Sequence, residues 1–324
     1  MPTVIAFGEA LVDLTALERG VSLAEASGFN KAAGGAPANV AVGVSLLGVS
    51  SGFVGKVGED PFGRFLAETL RSRGVDISGL IFSGEARTGL AFIALQQDGE
   101  REFTFYRHPS ADLYYRPGDI DPALLDEARI FHFGSLSLSR EPSASATWKW
   151  LETAQERGLK ISFDPNLRLD LWPNPETART VILQTAGRAD WIKLSADEFR
   201  FLTGEEPDWN SPDQVRETAR DLFSEAPELL VITLGRSGCL ALTPDLELFQ
   251  PGYRVKTVDT TGAGDAFTAG LLAELAAHPE WDLGPVPLES ALRTANAAGA
   301  LTTTGSGVIP SLPGRGDVEE LLSG

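Results

Sequence analysis

Asp265 closes a run, Asp259-Thr-Thr-Gly-Ala-Gly-Asp265-Ala-Phe-Thr-Ala-Gly270, in which small residues precede a carboxylate. Gly262, Ala263 and Gly264 let successive backbone N–H groups converge on an anion. A helix starting near Asp265 adds roughly half a unit of positive charge at that spot. The chemistry such a site can do is phosphate handling. Two readings of the carboxylate stay open. It can cap the helix, which is worth about 0.3–1 kcal/mol. It can instead act as a general base that takes the proton of a hydroxyl while the amides hold the phosphoryl group under attack. Ala266, Ala269, Gly270 and Ala273 are small, so this helix can lie close against a sheet.

The elements that must position this turn alternate along the chain. Apolar strands are expected at 4–8, 52–57, 129–134, 160–163, 191–194 and 229–234, and helices at 36–47, 63–73, 143–157 and 176–184. The fold class is therefore α/β, a mostly parallel sheet covered by helices on both faces, with ligands at the carboxyl ends of its strands. One region breaks the rhythm. Segments 88–95 and 101–107 are strand-like and joined through Gln97-Asp98-Gly99-Glu100, a hairpin signal, with no helix between them. With segment 14–31 they read as a small antiparallel sheet projecting from the body. It is an insertion, a dimer surface or a lid that excludes water, and the last two are compatible.

Composition excludes several classes. The chain has 324 residues, 43% of them hydrophobic and 22% charged, enough for a globular core and too apolar for disorder. The single cysteine, Cys239, rules out an internal disulfide framework and a multi-cysteine zinc site, and it fits a cytoplasmic location. His108, His132 and His278 are too scattered for a metal cluster. A net charge of −18 argues against nucleic acid or an anionic membrane surface as partner. The first residues lack a basic leader, so no signal peptide is expected. The uncharged stretch 32–55 contains Pro37, Asn39 and several serines and glycines, which suits a packed helix and strand rather than a membrane span. Neither a P-loop nor a Gly-x-Gly-x-x-Gly turn after the first strand is present, so any phosphate grip is of another kind.

Gly34-Gly-Ala-Pro-Ala-Asn39, continuing to Gly48, and the run 259–270 together resemble the two signature regions of the ribokinase-like (PfkB) carbohydrate kinases. The similarity extends from Phe7-Gly-Glu-Ala-Leu-Val-Asp13 to Gly305-Ser-Gly-Val-Ile-Pro310, essentially the whole chain. Within the family the chain looks most like the fructokinases, through segments 8–13, 34–39, Phe105-Tyr-Arg107 and Asp164-Pro-Asn-Leu-Arg-Leu-Asp-Leu-Trp-Pro173. The resemblance implies a ribokinase-like three-layer sandwich, one kinase domain over 1–324, with a small antiparallel β lid formed by about 14–33 and 86–112. It also implies an ATP- and Mg²⁺-dependent enzyme that phosphorylates a sugar hydroxyl, D-fructose to fructose 6-phosphate, and a homodimer formed through the lid.

Roles follow residue by residue from that resemblance. Asp265 would be the base, and Gly262, Ala263 and Gly264 the anion hole. Asp13, Gly34, Gly35 and Asn39 would bind sugar hydroxyls, although Asn39 reads equally as a residue satisfying helix-end amides. Arg168, with Asn166 beside it, would reach the phosphates; the other reading of Arg168 is an ion pair with Asp164 or Asp170. Tyr106 and Arg107 would select the sugar. Thr233, Gly235, Gly238 and Asn296 would flank the nucleotide, though the two glycines also suit a hairpin turn. Asp259 and Thr261 would hold a monovalent cation such as K⁺, unless Asp259 only anchors the turn.

One departure bears on the metal. Where relatives carry Asn-x-x-Glu, this chain has Ser195-Ala-Asp-Glu198, so Glu198 would organise Mg²⁺ through water with a shorter neighbour, while Ser195 caps the next helix. The alternatives are a kinase for 2-keto-3-deoxygluconate or another sugar, and a non-catalytic sugar or nucleotide sensor. A sugar acid should demand a cationic clamp, for which Arg107 and Lys31 are the candidates.

Overall fold

Apolar runs expected as strands pair into a sheet that is buried on both faces. The computed structural model describes residues 2–95, 101–209, 211–222, 227–278 and 281–324. In chain order the strands are β1 (Val4–Phe7), β2 (Leu11–Ala16), β3 (Phe29–Gly34), β4 (Ser51–Gly58), β5 (Asp76–Ser83), β6 (Leu90–Leu95), β7 (Arg101–Tyr106), β8 (Ile130–Phe133), β9 (Lys160–Phe163), β10 (Trp191–Ser195), β11 (Leu229–Thr233), β12 (Gly238–Leu242) and β13 (Glu247–Pro251). The helices are α1 (Ala36–Leu46), α2 (Pro61–Ser72), α3 (Ser143–Glu156), α4 (Pro175–Ala186), α5 (Ala196–Thr203), α6 (Pro212–Leu222), α7 (Ala263–Ala277), α8 (Pro285–Thr302), α9 (Val308–Ser311) and α10 (Arg315–Ser323).

The main sheet has the order β13-β12-β11-β10-β9-β8-β1-β4-β5. It is parallel from β11 to β5, and β12 and β13 run antiparallel at one edge. The antiparallel edge follows from the short turn at Gly235–Ser237, which is too brief for a parallel crossover. The hairpin-turn reading of Gly235 and Gly238 therefore agrees with the structure.

Strand alternation sorts the core into two layers. Ile5, Phe7, Phe131, Phe133, Ile161, Phe163, Ile192 and Leu194 face Trp150 of α3, Ile182 of α4 and Phe199 of α5. On the other side Val4, Ile130, Trp191, Leu229 and Val231 meet Val40 of α1, Phe267 and Leu271 of α7 and Leu292 of α8. This layer holds α7 against the sheet and so fixes where its first turn points.

The second sheet has the order β3-β2-β6-β7. Its two antiparallel pairings flank one parallel pair, β2 with β6. Register places Asp13 beside Ala91 and Ala91 opposite Phe105, so these side chains share one face. The hairpin signal at 97–100 lies outside the described residues.

Candidate active site

Strands β1, β9 and β10 are parallel, and their carboxyl ends and the loops that leave them supply one side of a cleft. Glu9 follows β1, Asn166 and Arg168 follow β9, and Ser195 ends β10. The chain order reverses between β1 and β8, the place where open α/β sheets form a crevice. Lid residues Asp13, Ala91, Ile93, Phe103 and Phe105 roof this cleft, and Gly262, Gly264 and Asp265 form its far wall. Its volume is about 240 Å³. A larger cavity of about 1220 Å³ adjoins it, lined by Thr233, Gly235, Gly238, Asn296, Gly299 and Thr303 among others.

Asp265 is buried in the first turn of α7, behind Gly262 at the N-cap position. Gly262 has φ +78, and a Cβ there would lie 2.2 Å from Val308 Cγ1, so glycine is required. The Asp265 side chain does not cap its own helix. Oδ2 accepts from Asn39 Nδ2 at 2.7 Å and Oδ1 accepts from Asn166 Nδ2 at 3.0 Å. Burial pushes its pKa from 3.8 up to about 6, opposed by the Asn39 hydrogen bond and by the charges of Lys193 and Arg168. A group that titrates near neutrality while held by two donors is suited to accepting a proton.

Asp13 faces the same cleft. Burial, with help from the Asp265 charge, raises its pKa to about 7. Gly34 lies on β3 opposite Leu11, and a Cβ there would come within 2.2 Å of Asp13 Oδ2, so the bare backbone makes room for that carboxylate. Gly35 and Asn39 line the cleft directly. Asn39 is not a helix-end cap: it sits inside α1, gives its amide to Asp265, and leaves a buried Oδ1 with no partner among the described residues.

The loop after β9 is tightly tied. Asp164 Oδ1 accepts from Asn166 N at 3.2 Å, and Oδ2 accepts from Thr268 Oγ1 at 3.0 Å and pairs with Lys193 Nζ at 3.0 Å. Asn166 adopts φ 44, a left-handed conformation asparagine tolerates. It therefore meets the carboxylate of Asp265. Arg168 is exposed on the cleft rim and donates to Leu167 O at 2.9 Å; the ion pair with Asp164 or Asp170 is not formed, because Lys193 takes Asp164.

Ser195 and Glu198 form a capping box at the start of α5: Glu198 N donates to Ser195 Oγ at 3.1 Å and Ser195 N to Glu198 Oε2 at 2.7 Å. Glu198 Oε1 also accepts from Leu167 N at 2.7 Å, so this acid pins the β9 loop to α5 while lining the cleft. Asp259 Oδ1 accepts from the backbone and hydroxyl of Thr261 at 2.9 and 2.7 Å, which is the turn-anchoring role. Asn296 gives its amide nitrogen to Gln250 O and Pro251 O at 3.1 and 3.2 Å, tying α8 to β13 on the wall of the larger cavity.

Two expectations are corrected. Tyr106 and Arg107 do not line the cleft; Phe103 and Phe105 do. Tyr106 is 65% exposed on the opposite face of β7, with its ring against Phe92. Arg107 is buried in an ion pair with Asp112, its Nε donating to Asp112 Oδ2 at 2.7 Å. Adjacent strand residues point to opposite faces, which turns Tyr106 away from the cleft that Phe105 lines, while Arg107 lies past the end of β7 and is held by Asp112.

Sequence reasoning missed Lys193 and Glu9. Lys193 lines both cavities, and its signal was a charge inside the otherwise apolar run of β10. Glu9 lines the cleft, accepts from Ala36 N at 3.1 Å, and keeps a buried Oε2 with no partner among the described residues. Burial raises its pKa to about 7.

The profile described as pfkB family carbohydrate kinase matches residues 1–315. The chain is 49% identical over 320 residues to probable fructokinase-7 of Arabidopsis thaliana, a match covering 99% of this chain and 92% of that protein. It is similar to the solved fructokinase from Vibrio cholerae O395 in its fructose-, ADP- and calcium-ion-bound form, at TM-score 0.88 and 37% identity over 99% of each chain. A double mutant of that enzyme, solved with fructose, ADP and potassium ion, matches at TM-score 0.88 and 36% identity over 99% of this chain and 98% of that one. Matched by this profile over residues 1–315 and 49% identical to a fructokinase relative over nearly its whole length, the chain belongs to the pfkB family of carbohydrate kinases.

Proposed function

We propose that this chain is an ATP-dependent fructokinase, which transfers the γ-phosphoryl group of ATP to the 6-hydroxyl of D-fructose. The observation that carries this reading is Asp265, bracketed by two amides in the first turn of α7, on the wall of a sugar-sized cleft that adjoins a larger cavity. Asp13, Gly35 and Asn39 grip the sugar, and the unpartnered Asn39 Oδ1 is an acceptor a hydroxyl would fill. Asp265 takes the hydroxyl proton while the oxygen attacks phosphorus, and the amides of the glycine turn face the charge that develops. Thr233, Gly235, Gly238 and Asn296 flank the nucleotide in the larger cavity, and Arg168 reaches its phosphates from the rim.

Mg²⁺ bound to the nucleotide neutralises phosphate charge. Glu198 suits it through water: its two oxygens each accept from one backbone amide, which leaves each a further lone pair, and the residue lines the cleft. Among the described residues no three acids, histidines or cysteines are grouped so that they could hold a metal ion by themselves, and Mg²⁺ would be carried chiefly by substrate phosphates. Asp259 and Thr261 would hold K⁺ beside the glycine turn.

A neutral sugar is favoured over a sugar acid. Glu9, Asp13 and Asp265 all present carboxyl groups to the cleft. Both candidate clamps are committed elsewhere, Arg107 to Asp112 and Lys31 to the ring of Phe65, 3.8 Å from its centroid. Initial rates of ADP release with ATP–Mg²⁺ test this against fructose, 2-keto-3-deoxygluconate, ribose, tagatose 6-phosphate and nucleosides. Fructose is expected to give the highest kcat/KM; a higher value for the sugar acid contradicts the assignment, and no turnover with any sugar favours a sensor.

The chain acts as one kinase domain over 1–324, with the lid at about 14–33 and 86–112 excluding water from the cleft. Its outer face carries linked rings, Phe29, Phe92 and Tyr106, with centroids 5.2 Å apart in each contact. A second copy covers this face in the proposed homodimer, to be checked by sedimentation. Cys239, free and buried, suits a cytoplasmic location. No helix among the described residues is long and apolar enough to cross a membrane.

A further inference from the structure

The first turn of α1 has no cap of its own. Gly35 at the N-cap position has no side chain, the turn holds no acidic residue, and Pro37 has no N–H to satisfy. The Ala36 N–H instead donates to Glu9 Oε1, 3.1 Å away and 27 positions earlier, on the loop that leaves β1. That loop is moulded to the turn. A Cβ on Gly8 would come within 2.7 Å of Pro37 Cγ, and one on Gly35 within 2.4 Å of the Glu9 carbonyl oxygen. Glu9 is 3% exposed, and its Oε2 has no partner among the described residues. Further along, α1 meets α7 in two rungs, each four residues apart on both helices. Asn39, whose N–H closes the first turn on Gly35 O at 2.8 Å, donates its side-chain amide to Asp265. Gly43 faces Ala269, and a Cβ on the glycine would lie 2.5 Å from the alanine Cβ. The Gly43 rung anchors the helix body, while the Asn39 rung belongs to the turn that Glu9 holds.

We propose that Glu9 is a positioning residue: by capping α1 from the β1 loop it fixes where Asn39 meets Asp265, and so sets how readily the base takes a proton. The proposal rests on the kinase reading. Glu9 acts through Ala36 and Asn39 and not on the reacting atoms. Losing the cap frees the first turn and weakens the Asn39 hydrogen bond, which favours the charged form of Asp265, so the pKa of Asp265 rises. The other charges that face Asp265, those of Asp13, Asp164, Lys193 and Arg168, lie outside α1 and stay in place. Glu9 titrates too: burial raises its pKa to about 7, with the Asp112 charge adding to the rise and the Arg107 charge opposing it. Its effect must therefore be separated from its own proton. Glu9→Gln does this, because an amide oxygen accepts the same N–H and the group does not titrate.

Carboxyl-carbon NMR of labelled aspartates, with the Asp265 signal assigned through Asp265→Asn, reads the pKa directly, and initial rates across pH read its consequence. Relative to Glu9→Gln, Glu9→Ala is expected to raise the Asp265 pKa by about 0.5 or more and to carry the acid limb of kcat/KM upward with it. Its kcat at neutral pH should be about tenfold lower, with affinity for ADP changed less than about twofold, since α1 does not line the larger cavity. Glu9→Gln should recover most of that loss. Glu9→Leu, which fills the volume without an acceptor, should match Glu9→Ala and serves in its place where the alanine variant does not fold. On an Asn39→Ala background the same substitutions should cost less than about twofold, because the group they position is gone. An Asp265 pKa that is equal in Glu9→Ala and Glu9→Gln overturns the proposal, and so does a full tenfold loss on Asn39→Ala. Glu9→Gln as impaired as Glu9→Ala overturns it too, since the charge and not the hydrogen bond would then matter. A wild-type enzyme that phosphorylates no sugar would defeat the kinase reading, whereas the Asp265 titration is read without turnover.

Discussion

Asn39 donates its side-chain amide to Asp265 Oδ2 at 2.7 Å across 226 positions of the chain. The bond joins α1, which follows the lid strand β3, to the first turn of α7. It couples the sugar grip to the proposed base and favours the charged form of the carboxyl. Asn39→Ala should therefore raise the Asp265 pKa above about 6 and move the acid limb of the kcat/KM profile to higher pH. Turnover at neutral pH should drop about 10- to 100-fold. A profile with an unmoved acid limb would show that the bond only packs the two helices.

Three buried acids share the cleft, and their linkage to stability has an unusual sign. Glu9 and Asp13 are raised to about 7 and Asp265 to about 6 by burial. Each binds its proton more tightly folded than unfolded, so its contribution is full below the unfolded values near 4 and lost as pH rises toward 7. Asp13 and Asp265 interact, so the values belong to the pair. Asp13→Asn should raise thermal stability at pH 7.5 by on the order of 1–3 kcal/mol, with the advantage vanishing near pH 4, while sugar phosphorylation is lost. Melting curves at the two pH values check it; equal destabilisation at both would contradict the account.

Arg168 is exposed and, among the described residues, its side chain hydrogen-bonds a carbonyl of its own loop. Arg168→Ala should leave the melting temperature nearly unchanged, raise KM for ATP and lower kcat by about tenfold or more. Unchanged kinetics would make it a surface residue.

Much of this was legible in the chain. Apolar runs such as 160–163 and 229–234 are buried on both faces, and that burial is what erased alternation and made them readable as parallel strands. Gly262 and Asp265 were legible because an anion-binding turn needs those residue types in that order. Tyr106 against Phe105 was not, since which face of β7 meets the cleft depends on its pairing with β6 and not on β7 itself. Lys193 and Glu9 are single charges whose meaning arises only when β10, β1 and α7 converge. The long partnership of Asn39 with Asp265 likewise has no local signature.

The sharpest test is the turnover number of Asp265→Asn, taken together with its affinity for nucleotide. An asparagine keeps the size of the side chain and removes its capacity to accept a proton. The expected result is a kcat lower by about 100- to 10,000-fold with nucleotide affinity nearly unchanged. Turnover close to that of the wild type would contradict the assignment of Asp265 as the base.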